Sequence, residues 1–313
     1  MGTPVGTEAR AHHFVPQCWL AGFTDSGEKD GRLWTTDLKR QKQWHGTPAN
    51  TGHRRDFYRI DVPGMDPTTF EKNYGDFESA IAPMLKLLNE EKREPGREEL
   101  EGLLTFMAIQ WTRIPTFRPT VLGISDSFTR AEVGKSLASP ESWQAALTAA
   151  GIPTDSPGSE YEKMREFQQA GEYKLTAETE WYLIEAFKAA EVIVPLLRAR
   201  HWQTMISPSG SFVGSDNPVI LDGSSKGEMV GFKNAEVVVY PISRWLMLWG
   251  TKDFYQQPRM TRKNIAFLNT LTMVAADEQI YSAARNFCWM DENRQYQTDW
   301  TLFDREKILS RTG

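Results

Sequence analysis

Two kinds of hydrophobic spacing divide this chain, and their order narrows the folds open to it. Between about 65 and 200, apolar residues recur at helical spacing, as in Leu100, Leu103, Leu104, Met107, Ala108 and Trp111. On either side they come in short runs bounded by Gly, Pro, Ser or Asn. Near the start the runs are 32–37 and 56–60, and near the end 202–206, 212–214, 219–221, 237–240 and 246–249. Strands grouped apart from helices point to an α+β protein. The expectation is a small N-terminal strand unit over 11–64 and a helical middle over 65–200. A strand-rich region over 201–290 follows, with antiparallel strands closed by a long helix from about 261 to 284.

Residues 1–313 are expected to form a single compact domain, with 1–10 as a loose tail. The stretch 125–175 is more polar and is broken by Gly151-Ile152-Pro153 and Ser156-Pro157-Gly158, which makes it a candidate lid or insertion. Inside the helical middle, Asp66-Pro67-Thr68-Thr69 reads as a helix start and Pro95 as the start of a second helix, ending at Ile114-Pro115. A long helix is expected from 177 to about 200.

Lys and Arg number 36 against 41 Asp and Glu, so the formal charge is −5 and no global field draws the chain to a polyanion. Nucleic-acid binding would need a local basic patch, for which Lys39-Arg40-Gln41-Lys42, His53-Arg54-Arg55 and Arg259 with Arg262-Lys263 are candidates. No run approaches the roughly 20 apolar residues of a membrane span, and the first residues carry no basic-then-apolar signal. Two cysteines, Cys18 and Cys288, are too few for a disulfide framework. These features lead us to expect a reduced, cytoplasmic protein that does not engage a membrane.

The richest stretch for chemistry is Ala11-His12-His13-Phe14-Val15-Pro16-Gln17-Cys18-Trp19-Leu20. Neighbouring side chains on an extended segment point to opposite faces, so one imidazole meets a site while the other packs. His13 lies just ahead of a helix start, whose positive end favours neutral imidazole, the form a metal ligand or general base needs. The same helix end with Gln17 offers N–H groups to an anion such as phosphate. The alternative is a buried histidine tied to backbone.

Phe70-Glu71 and Phe77-Glu78 repeat at a spacing of seven, which places both carboxylates on one helix face. They read as hard oxygen ligands, as a general base with a raised pKa, or as an exposed acidic face. Arg113, three residues after Gln110 and at a helix end, suits capture of a carboxylate or phosphate, or a structural pair with Glu71 or Glu78. Asp216, in Gly214-Ser215-Asp216-Asn217-Pro218, reads either as a tight turn or as a carboxylate at the mouth of a sheet. Gly223-Ser224-Ser225-Lys226-Gly227 matches a nucleophile elbow but lacks the helix that should follow it. The HNH nucleases share a His-His-x-x-Pro start, but 51–58 reads as loop and strand where their motif closes with a helix. No phosphate-binding loop or dinucleotide glycine fingerprint is present, so no nucleotide cofactor is expected.

Taken together, His12-His13-Phe14-Val15-Pro16-Gln17 with Leu20 and Phe23, Phe57-Tyr58, Glu71, Glu78, Arg113, 212–219 and Tyr240-Pro241-Ile242-Ser243 resemble a family known as domain of unknown function 4238. The resemblance covers about 11–285, with 264–281 similar to the family's closing helix. One departure is Gly214, where the family pattern usually has threonine. The resemblance implies that His12, His13, Gln17, Glu78, Arg113 and Asp216 converge, and it implies no established activity.

The leading expectation is a metal-dependent hydrolase of phosphodiesters, nuclease-like, acting on a small-molecule or nucleic-acid phosphate. His12 or His13 with Glu78 and Asp216 would bind a divalent metal that activates water. His13 and Glu71 are candidate bases, Gln17 a substrate contact, and Arg113 a stabiliser of developing charge. The rivals are a non-catalytic binding or interaction module built on a buried polar network, and a metal-free small-molecule hydrolase or transferase.

Overall fold

The computed structural model describes residues 11–171, 174–223, 230–254 and 260–312. The expected tail over 1–10, the centre of the Gly-x-Ser-x-Gly stretch and Arg259 lie outside them. The described chain mixes helices with antiparallel sheets and is α+β, with strands at both ends and helices between them. Contacts divide it into two compact units, 1–115 with 183–313 and 116–182.

The first unit opens with β1 (Ala11–His13) and α1 (Gln17–Leu20). β2 (Leu33–Asp37), β3 (Lys42–Gly46) and β4 (His53–Arg55) follow, then α2 (Thr69–Glu91) and α3 (Arg97–Arg113). The second unit holds α4 (Phe117–Ser136), α5 (Pro140–Ala149), α6 (Tyr161–Ala170) and the first residues of α7 (Thr179–Arg198). The stretch expected as an insertion falls inside it.

The chain then forms β5 (His201–Ile206), β6 (Gly214–Ser215), β7 (Ile220–Asp222), β8 (Val237–Pro241) and β9 (Leu246–Thr251). α8 (Arg262–Ala275), β10 (Gln279–Ser282), β11 (Trp289–Met290), β12 (Tyr296–Gln297) and α9 (Arg305–Thr312) complete it. No helix among the described residues is long and apolar enough to cross a membrane.

The sheet β5-β9-β8-β7 is covered on both faces. Val238, Tyr240, Leu246 and Leu248 join a core with Trp19, Leu88 and Met107, whereas Val239 and Met247 join one with Ile265 and Leu268 of α8. A strand buried on both faces has no polar side to show, so Val237-Val238-Val239-Tyr240 is apolar without alternation. A second sheet runs β3-β2-β10-β6, so β2 of the first 60 residues pairs directly with β10 from the C-terminal third.

Two expected elements differ. The run 56–60 is a turn and not a strand: Asp56 has φ 53°, a left-handed conformation that breaks extended pairing, and the Tyr58 N–H is taken by His12. β4 instead forms three residues earlier. The closing helix ends at Ala275, not near 284, and 279–282 is a strand between β2 and β6. The N–H groups of Asp277, Glu278 and Gln279, which would otherwise continue the helical ladder, are bonded to the Asp216 carboxylate.

Candidate functional site

The pairing of β1 with β4 builds the site. Its register sets His13 opposite His53 and His12 opposite Arg54, and successive residues face opposite sides. Gly52 leads into β4 with φ +65°, and a Cβ there would lie 2.7 Å from the Val15 Cβ. Its carbonyl accepts the N–H groups of Phe14 and Val15, so the bend that brings His53 to His13 needs glycine.

His12 turns inward. It is 1% exposed, its Nδ1 accepts the Tyr58 N–H at 2.9 Å, and its ring stacks on Tyr58. His13 is half-buried on the other face, with its ring centroid 5.3 Å from that of His53 and the rings edge to face. Its Nε2 lies 3.3 Å from the Ala49 carbonyl and its Nδ1 3.4 Å from the Gln17 amide nitrogen. A carbonyl can only accept, so Ala49 fixes the proton on Nε2 and leaves Nδ1 as the basic atom. Burial, then the nearby His53, lowers the His13 pKa. α1 is only four residues long and carries little dipole, so the neutral imidazole owes less to the helix end than the sequence suggested.

Behind β1 lies a buried cluster. Arg113, 2% exposed, donates from Nη1 to Glu78 Oε1 at 2.7 Å, from Nε to the Tyr58 hydroxyl and from Nη2 to the His13 carbonyl. Its guanidinium also lies 4.3 Å from the centre of the Tyr74 ring. Gln110, one helical turn before it, accepts from the Tyr240 hydroxyl at 2.6 Å. Glu71, one heptad before Glu78, accepts from the His13 backbone N–H, and its Oε2 is buried with no hydrogen-bond partner among the described residues. Burial pushes its carboxyl up to about 7, with Glu78 adding to the rise and Arg113 opposing it.

A polar cleft of about 410 Å³ is lined by Phe14, Arg40, His53, Arg54, Asp216 and Glu278, among others. Burial pushes the Asp216 carboxyl up to about 7, against three backbone N–H donors that favour its charge. Those donors, at 2.8–2.9 Å, give Asp216 a structural task in the turn after α8. Gly214 also has a physical reason: a Cβ there would lie 2.6 Å from the Trp19 ring and 3.0 Å from Phe23. The large Trp19 indole fills the space a threonine would need.

The structure therefore gathers His13, Gln17, Glu71, Glu78 and Arg113 around β1, and it places Asp216 in the cleft that His53 lines. Among the described residues, no three His, Cys, Asp or Glu side chains stand close enough together to hold a metal ion. Of the expected ligands, His12 is bonded to Tyr58, Glu78 to Arg113 and Asp216 to three N–H groups. The sequence placed His53 and Arg54 in a basic cluster and compared His53 with the HNH motif, but assigned neither to the site. Their signal was present, but a three-residue strand gives no period from which to read pairing.

The α+β frame thus carries a His13–His53 pair across β1 and β4 and a buried cluster of Arg113, Glu78 and Tyr58. A family model described as "Protein of unknown function (DUF4238)" matches residues 11–286, and the chain belongs to that family. No curated protein and no solved structure matches it.

Proposed function

We propose that this protein is a hydrolase of phosphodiesters that works by general acid–base catalysis between His13 and His53. One observation carries the reading: the two imidazoles are cross-strand partners with ring centroids 5.3 Å apart, and His53 lines a cleft with Arg40 and Arg54. A neutral His13 has its lone pair on Nδ1, which the Gln17 amide meets at a long 3.4 Å, and in this reading an attacking water or hydroxyl displaces that amide to give up its proton there. His53 is exposed on the cleft and suits proton donation to the departing oxygen. The two guanidiniums match a phosphate diester in charge and in hydrogen-bond donors. The net charge of −5 favours a small or single-stranded substrate over a long duplex.

Glu71, its carboxyl pushed up to about 7 by burial, accepts the His13 backbone N–H and serves in this reading to position the base. Gln17 holds the His13 ring. Arg113 acts as a positioning residue: its donors are engaged by Glu78, Tyr58 and His13, which also favours the second reading of a buried polar network without catalysis. A reduced cytoplasmic setting fits the free, buried Cys18 and Cys288.

The test is hydrolysis of bis(4-nitrophenyl) phosphate and of a short single-stranded RNA, across pH 5–9, with and without EDTA. The proposal expects cleavage that survives EDTA and a rate that rises with pH through deprotonation of His13. Cleavage abolished by EDTA and restored by a divalent ion would return the metal-dependent mechanism. No cleavage of either substrate would leave the network reading in its place.

A further inference from the structure

We infer that the His13–His53 pair is also a chelating site for a divalent transition-metal ion of the zinc type, and that the bound ion inhibits the protein. The inhibition rests on the acid–base reading above, whereas the metal site does not. Zinc bonds imidazole nitrogen at about 2.0–2.1 Å with tetrahedral angles, and the ring centroid lies about 1.1 Å behind that nitrogen. Two imidazoles on one ion therefore hold their centroids about 5 Å apart. The register of β1 on β4 sets those of His13 and His53 at 5.3 Å.

The His13 ring is also held as a ligand is held. A metal-bound imidazole donates its other N–H to a carbonyl or carboxylate, which fixes its tautomer and direction. Here Nε2 lies 3.3 Å from the Ala49 carbonyl, so Nδ1 keeps its lone pair. The Gln17 amide nitrogen stands 3.4 Å from that Nδ1. Two donors on one tetrahedral ion with bonds of about 2.1 Å are separated by about the same distance. Turning the amide over would put its oxygen there as a third, neutral donor. Among the described residues no three His, Cys, Asp or Glu gather to hold an ion, so the set is two imidazoles, the Gln17 oxygen and a water. Imidazole nitrogen selects zinc, nickel or copper over calcium and magnesium. An ion on Nδ1 takes the lone pair that the proposed reaction needs to accept a proton, so it inhibits.

The probe is zinc ion alone, titrated by calorimetry into the whole protein after EDTA treatment and removal of the chelator. The expected result is one equivalent bound with a dissociation constant below about 100 μM, weakened about tenfold or more in His13→Ala and in His53→Ala. Gln17→Glu, which offers a carboxylate in place of the amide, should bind more tightly, a gain that misfolding does not produce. His201→Ala, which removes an exposed imidazole on β5, should bind like the wild type. Cleavage of bis(4-nitrophenyl) phosphate should fall in step with zinc saturation and return with EDTA. Zinc binding at the pair by a protein that cleaves nothing without metal would uphold the site and defeat the acid–base reading. No saturation below about 100 μM, undiminished affinity in His53→Ala, or cleavage raised by zinc would overturn the inference.

Discussion

The two sides of β1 differ in how their polar groups are spent. Behind the strand, each guanidinium nitrogen of Arg113 meets an acceptor, and Tyr58, Tyr74 and Glu78 close around it. Elsewhere, His53, Arg40 and Arg54 line an open cleft. A saturated cluster holds geometry, and an open one can exchange protons and bind anions. His13 belongs to both, because its carbonyl accepts from Arg113 while its ring stands beside His53. The saturated cluster gives rigidity, and the proposed reaction is placed at the His13–His53 pair.

The largest expected effect falls on the histidine pair. His13→Ala should lower phosphodiester cleavage by about 10²–10⁴-fold, the range of a lost general base, with little change in melting temperature. The steepest loss of stability should come from behind: Arg113→Met leaves Glu78 partly buried without its partner and should cost about 3–5 kcal/mol in urea unfolding. Tyr240→Phe, which strips the donor from a fully buried Gln110, should cost about 1–3 kcal/mol. Arg54→Ala should change stability by about 0.5 kcal/mol or less while raising KM for an anionic substrate.

A pH-dependent effect sharpens the boundary itself. The folded pKa of Glu71 lies above its usual 4.5, at about 7, so the protonated form is favoured in the folded state. Its contribution to stability is complete below pH 4.5 and is lost as the pH rises through 7. Glu71→Gln mimics the protonated acid, so it should be more stable than the wild type at pH 8 and match it at pH 4.5. The gain should be about 1 kcal/mol, because the side chain is partly exposed and solvent screens it. A gain of equal size at both pH values would sever Glu71 from this titration.

Part of this arrangement was legible in the sequence. The opposed faces of His12 and His13 follow from strand geometry, and the shared face of Glu71 and Glu78 from a spacing of seven on a helix. The Arg113–Glu78 pair was one of two partners that spacing allowed. His53 was not legible as a site residue, because its pairing with His13 spans 40 positions and depends on the bend at Gly52. Nor was the end of α8. The residue that stops it, Asp216, lies about 60 positions upstream, and its three hydrogen bonds are tertiary. Local pattern carries local structure, whereas convergence across the chain is set by packing.

The central claim is that the His13–His53 pair is where the chemistry occurs. It is tested most directly by single-turnover cleavage of bis(4-nitrophenyl) phosphate in EDTA-treated wild type and His13→Ala, with both proteins shown folded by thermal melting. The account predicts turnover in the wild type and a loss of about 100-fold or more in the variant. Equal rates in the two proteins would contradict it.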